Sequence, residues 1–220
     1  MIQSLTQYFR GWIDHPHLAR RIAIAVISTM MMGVCILAFE WLDVGTDPFS
    51  CVCLGVRDLT GIDLKIIQPI VHGVTLCVVL FIARDMFGFG SLANIFLVGI
   101  THDFIWINLM QRQMPATPET GMRILLFIPF AALFLVSVSS YVAADLGTSP
   151  YDAASIIIHR KLTEKGRKVS PVVIRMAWDL FFTLVGLLLK GPFGAVTVAC
   201  VLFLGPLISW ISGKIKRFIE

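Results

Sequence analysis

Five stretches of this chain, at 22–39, 66–83, 91–110, 124–144 and 191–213, stay apolar for about the length of a membrane-crossing helix. A bilayer core about 30 Å thick takes up roughly 20 such residues as one helix. A sixth stretch, 171–189, is apolar except for Arg175 and Asp179. With 57% hydrophobic and 15% charged residues, the chain departs from the roughly 45–50% and 25% of soluble domains. These runs exclude a water-soluble globule and predict an all-α integral membrane protein whose first partner is the lipid bilayer.

The polar segments between the runs are short. Residues 1–21 form a basic segment with Arg10, Arg20 and Arg21 before the first span, and no small-residue cleavage site follows, so no removable targeting segment is expected. The organisation reads as a cytoplasmic segment at 1–21, a first membrane half at 22–110, a cytoplasmic linker at 111–123, a second membrane half at 124–213 and a cytoplasmic tail at 214–220. The net charge of +4 is distributed as clusters between apolar runs, the pattern that encodes topology, and this excludes nucleic acid as a partner. Cys35, Cys51, Cys53, Cys77 and Cys200 lie in or beside apolar segments with no paired spacing in a polar loop, and read as small buried hydrophobes. No metal site or cofactor is expected. Trp12, Trp41 and Trp106 or Trp210, toward segment ends, fit interface anchoring.

The halves share a plan. Gly45-Thr46-Asp47-Pro48-Phe49-Ser50 recurs as Gly147-Thr148-Ser149-Pro150-Tyr151-Asp152, and each copy opens an apolar segment too short for an ordinary span. Phe87-Gly88-Phe89-Gly90 is answered by Gly191-Pro192-Phe193-Gly194. If the short segments cross, each half holds four helices and the halves are parallel. Fifteen of the 18 Lys and Arg residues then fall on the cytoplasmic side, Arg84 and Lys190 fall outside, and Arg175 sits in a span. If the short segments are re-entrant, six helices cross and the split is twelve against five. The positive-inside rule selects the first: two parallel repeats of about four helices, each with one short helix started by Gly-Thr-x-Pro, with both termini cytoplasmic.

Each junction has a local reading. Gly ends one helix, Thr or the following Asp or Ser caps the next, and Pro fits a first turn where its missing N–H would be unpaired anyway. Capping alone accounts for these residues. The second reading is a pair of helix N-termini, facing the outer half of the bilayer, that bind an anionic group.

These motifs resemble the YczE/YitT group of bacterial membrane proteins, the YczE branch most closely. The resemblance covers the Arg-rich start, both Gly-Thr-x-Pro-aromatic elements, Phe-Gly-Phe-Gly-Ser-Leu-Ala-Asn at 87–94 with Gly99 and Asp103 downstream, and Leu204-Gly205-Pro206. It implies a polytopic inner-membrane protein and no particular chemistry. Ser50 stands where the second copy has Asp152, so acidic residues are not matched at that place.

Ionisable groups within spans are functional candidates because they are costly to insert. His102 and Asp103 are the sharpest such signal, read either as a proton relay, which Asp103 could instead form with His72, or as a hydrogen-bonded interhelical cluster. His72 precedes Gly73, and Gln68 lies one turn earlier on its face. Arg175 and Asp179, at i and i+4, read as a structural ion pair. Glu40 and Asp43 fall at the end of a span and are assigned no chemistry. No nucleophile elbow, His-Glu-x-x-His or phosphate-binding loop is present, and no enzyme is expected.

Two functions follow. The first is a small-solute transporter or permease with a substrate site between the repeats formed by Thr46, Asp47, Thr148, Asp152, His72, His102 and Asp103. Because Asp152 repels an anion unless protonated or paired with Arg or His, the solute is expected to be zwitterionic, or an anion that binds more tightly at lower pH. The second is a non-transporting membrane scaffold or regulator whose basic cytoplasmic face, especially 159–168, docks a partner; a homo-oligomer is open under either reading.

Overall fold

The computed structural model describes residues 16–83, 86–110 and 117–219. Of the expected N-terminal segment and linker, 1–15 and 111–116 lie outside these. The described residues form eight helices and no strand: α1 Leu18–Trp41, α2 Pro48–Thr60, α3 Leu64–Ile82, α4 Phe89–Leu109, α5 Thr120–Ala144, α6 Pro150–Glu164, α7 Pro171–Leu188 and α8 Ala195–Ile219.

Helices α1, α4, α5, α7 and α8 are long and apolar enough to cross a bilayer, the build of a multi-pass membrane protein. α3 is apolar over Leu64–Cys77, and its 19 residues reach about 28 Å at the helical rise. Large apolar side chains such as Val74, Phe81, Phe104 and Leu188 stand exposed on the outside of the bundle, where lipid would cover them. The core is built from α1 against α4 and α5. Gly33 lets the two helices close, since a Cβ there would overlap the Val98 carbonyl oxygen of α4. Phe39 of α1 meets Phe134 of α5 edge-on at 5.6 Å.

End-to-end contacts give the directions. Arg21, at the start of α1, donates to the Ala144 carbonyl at the end of α5 (3.1 Å), while Asp43, just past α1, pairs with Arg123 near the start of α5 (3.6 Å). α1 and α5 are therefore antiparallel. α8 runs with α5: Lys216 near its end pairs with Asp145 (2.6 Å), and Val196 near its start donates to the Val44 carbonyl beyond α1 (3.0 Å). α4 runs with α1, since Phe89 packs near Ala25 and His102 meets Glu40. The second half thus runs opposite to the first. The halves are therefore opposed in direction, not parallel as expected.

The short helices explain the reversal. At 13 and 15 residues, α2 and α6 reach only about 20 and 22 Å. Phe49, in the first turn of α2, lies at the middle of α3 (His72) and α7 (Phe182), and α2 then follows the last part of α7, with Cys51 against Gly186 and Gly55 against Leu189. Tyr151, in the first turn of α6, lies at the middle of α7 beside Asp179, and α6 then follows the last part of α3, where Ala153 and Ile157 pack on Val79 and Ala83. Each short helix starts at mid-depth and runs back toward the end from which its own segment entered. The two face opposite ends, so their N-termini do not both face the outer half of the bilayer. Six helices run end to end, each half contributing three, and an odd number inverts the second half.

Two junctions brace this arrangement in the same way. Gly45 (φ 81°) lies against the Gly194 backbone and Gly147 (φ 104°) against the Gly88 backbone, so each needs both a left-handed conformation and the absence of a Cβ. Thr46 N–H donates to Pro192 O (3.3 Å), and Thr148 N–H to Met86 O (2.8 Å). The hydroxyls of Ser91 and Thr197 accept from the Gly88 and Gly194 N–H groups three residues earlier, so α4 and α8 start with the same cap.

Candidate functional site

The Gly-Thr-x-Pro junctions deliver two capped helix starts to the middle of the bundle. Asp47 Oδ1 accepts from Ser50 N–H (3.1 Å) and Ser149 Oγ from Asp152 N–H (3.4 Å), with Pro48 and Pro150 in the first turns. The Asp or Ser thus does the capping, not the Thr. Phe49 and Tyr151 meet at 5.3 Å, and Phe49 stacks on His72 at 4.1 Å.

Around this meeting point lies a central chamber of about 70 Å³, lined by Asp47, Phe49, Ser50, Gln68, His72, Asn94, Tyr141, Tyr151, Asp152 and Arg175 with apolar residues of α1, α4 and α5. A second cavity of about 800 Å³ lies toward the end that carries the described termini, lined by Thr148, Ser155, His159 and Ser209, with exposed Asp145 and Pro171. Tyr141, Asp152 and Arg175 line both spaces. Arg175 Nη1 contacts Asp152 Oδ1 at 2.5 Å, and its Nε lies 3.0 and 3.1 Å from the two Asp179 carboxylate oxygens. The Tyr151 hydroxyl donates to Asp179, and Trp178 Nε1 donates to the Tyr151 carbonyl (3.1 Å). The expected Arg175–Asp179 pair is present, extended by Asp152 and Tyr151 into a partition between the two spaces.

His102 and Asp103 belong elsewhere. The His102 ring nitrogens lie 3.0 Å from Asp103 Oδ1 and 3.0 Å from Glu40 Oε2. Glu40 also receives both terminal nitrogens of Arg57 (3.0 and 2.6 Å), and Asp103 Oδ2 accepts from Lys65 N–H (2.7 Å), which caps α3. This cluster closes the end opposite the described termini. Glu40, read from the sequence as a headgroup-level bystander, is its centre. Neither His102 nor Asp103 lines the chamber, and His72 is too far along α3 to share a relay with Asp103. Thr46 is fully buried and lines neither cavity, whereas Thr148 lines only the larger one.

Of the sequence-derived site residues, the fold therefore gathers Asp47, His72 and Asp152. Gln68, one turn before His72, does line the chamber, and its Nε2 donates to the Asn94 carbonyl (3.1 Å). Phe49 and Tyr151 were visible only as the aromatic of each motif, and Asn94 and Tyr141 carried no signal of their own. Four buried side-chain atoms have no hydrogen-bond partner among the described residues: Asp47 Oδ2, both ring nitrogens of His72, and Ser139 Oγ. Three of the four sit on chamber-lining residues. No group of three or more His, Cys, Asp or Glu side chains among the described residues is arranged to hold a metal ion.

Residues 19–213 match the model of a family of unknown function, DUF6198. The chain belongs to this family. The match spans every helix of both halves except the extreme ends of α1 and α8, so membership covers the whole site. No curated protein and no solved structure matches the chain. The narrower likeness to the YczE/YitT group stands on the sequence motifs alone.

Proposed function

We propose that this protein is a small-solute transporter of the bacterial inner membrane whose site lies between two inverted repeats. The observation that carries the reading is the polar chamber at mid-depth where the first turns of α2 and α6 meet. Transporters built from inverted repeats place their sites there, on helices broken or started inside the membrane. A lone scaffold has no need of buried polar atoms at its centre, since each is costly away from water. The 800 Å³ cavity, ending at the Asp152–Arg175 pair, supplies a route from one side.

The basic residues orient it. Arg20, Arg21, Arg160, Lys161, Lys165, Arg167, Lys168, Lys214, Lys216 and Arg217 gather at the end with the described termini, against Arg57, Lys65, Arg123 and Lys190 at the other. The positive-inside rule makes the first end cytoplasmic, with the larger cavity facing the cytoplasm. Single cysteines at Ile62 and Lys165, in a Cys77→Ser background, test the arrangement in intact cells. Ile62→Cys should label from outside and Lys165→Cys should not; absence of labelling at both would return the topology to eight crossings, and labelling at Lys165→Cys would overturn the orientation.

Transport itself is tested in proteoliposomes by light-scattering flux of small amines, amides, polyols and anions. Flux of at least one class should be blocked when Ser155→Cys, in the larger cavity, is modified with a bulky thiol reagent. Absence of flux for every class would leave the scaffold reading.

A further inference from the structure

We propose that the central chamber binds a small monovalent cation of the ammonium or methylammonium class, held by Asp47 and His72. The inference deepens the transporter reading, but the binding it describes holds whether or not the chain moves its ligand.

Three observations select a cation over the expected anion or zwitterion. First, the helix N-termini that would attract an anion are already occupied: Asp47 accepts from Ser50 N–H, Ser149 accepts from Asp152 N–H, and Asp152 adds a carboxylate in the first turn of α6. Second, with the carboxyls ionised the charges do not balance. Arg175 is taken up by Asp152 and Asp179, and Asp47 is left with no cationic partner among the described residues. Two helix ends add roughly half a positive charge each, leaving a deficit of about one. Third, two of the three unpaired atoms can accept: an ionised Asp47 Oδ2, and one nitrogen of a neutral His72, whose other nitrogen carries an N–H for an accompanying water. His72 is 1% exposed, lines the chamber and has no partner on either ring nitrogen among the described residues. Native proteins rarely leave such groups unpaired, and a chamber beside them marks the place of a bound group.

Size narrows the class further. At about 10–15 Å³ of probe volume for each water-sized group, 70 Å³ has room for a handful, which fits ammonium or methylammonium with its waters. Phe49 and Tyr151 both line the chamber and make part of its wall aromatic, which suits an alkylammonium better than a hydrated metal cation. Arg175, the one guanidinium or ammonium among the described residues that line the chamber, lies 5.2 Å over the Tyr151 ring.

The test is thermal unfolding of the full chain in detergent with ammonium chloride, methylammonium chloride, sodium chloride, choline chloride, sodium acetate or glycine at matched ionic strength. Ammonium or methylammonium at about five times its Kd should raise the Tm by roughly 2–4 °C, with no rise for the other additives. Asp47→Asn, which keeps the oxygen that caps Ser50 N–H, and His72→Phe, which keeps a ring to stack on Phe49, should each remain folded and lose the shift. A shift of equal size with sodium, acetate or glycine would overturn the assignment, as would an ammonium shift that survives both substitutions. No shift with either amine in the unsubstituted protein would overturn it too, and needs no variant to fold. Amine binding without flux would remove the transporter reading alone, and flux of another solute without amine binding would remove the cation site alone.

Discussion

The ionisable side chains at one end of this bundle and those at its mid-depth differ in closure. At the end opposite the described termini, Glu40, Arg57, His102 and Asp103 satisfy one another, and the remaining Asp103 oxygen caps α3. At mid-depth, Asp47 and His72 have atoms beside a chamber with no hydrogen-bond partner among the described residues. The first cluster fastens α1, α2, α3 and α4 together. The second does not complete its own hydrogen bonds. Charge inside a span therefore marks cost in both places, and only the hydrogen-bond inventory separates a clasp from a site.

The partition beside the chamber offers the sharpest way to break this contrast. Arg175→Met would strand Asp152 and Asp179 together, and removing one side of a buried ion pair costs about 3–5 kcal/mol. The folded yield of that variant should fall most of all. Because Arg175 holds two carboxylates, removing Asp179 with it should restore little, and recovery should need Asp152→Asn as well. Full recovery in the Arg175/Asp179 double variant would show Asp152 to be indifferent to its partner.

The junction glycines come next. Gly45→Ala and Gly147→Ala each combine a left-handed backbone with overlap against another segment's backbone, and each should cost roughly 2–4 kcal/mol by thermal unfolding. Matched losses would support the inverted relation of the halves; a harmless change at either one would mean that its junction moves freely.

A smaller contrast compares the clusters directly. Glu40→Gln removes the charge that receives Arg57 and His102 and should cost about 1–3 kcal/mol. His72→Phe removes two unpaired polar atoms while keeping a stacked ring, and should be neutral within about 1 kcal/mol or stabilising. Unfolding midpoints of the two variants check this. A larger loss at His72 than at Glu40 would reverse the assignment of clasp and site.

Much of the local structure is readable without coordinates. Pro48 and Pro150 start their helices, Asp47 and Ser149 cap them, and Arg175 and Asp179 pair one turn apart, because all of these are short-range effects of backbone geometry and i, i+4 spacing. The likeness of the two junctions is equally plain. Their relative direction is not. A segment of 13 or 15 apolar residues bounded by Gly and Pro reads alike whether it crosses or turns back, and the basic residues favour the same side for the termini either way. Direction is decided by what each short helix packs against: α2 lies along α7 and α6 along α3, each on a helix of the other half. The site follows the same logic. Asp47 and Asp152 occupy different motif positions and look unmatched along the chain, yet opposed helix starts bring both to one chamber. His102 and Asp103, the most conspicuous charges in any span, lie where Glu40 and Arg57 can reach them. Helix starts, caps and one-turn pairs are set by neighbours in sequence, whereas orientation and the identity of unpaired groups depend on contacts between residues far apart along the chain.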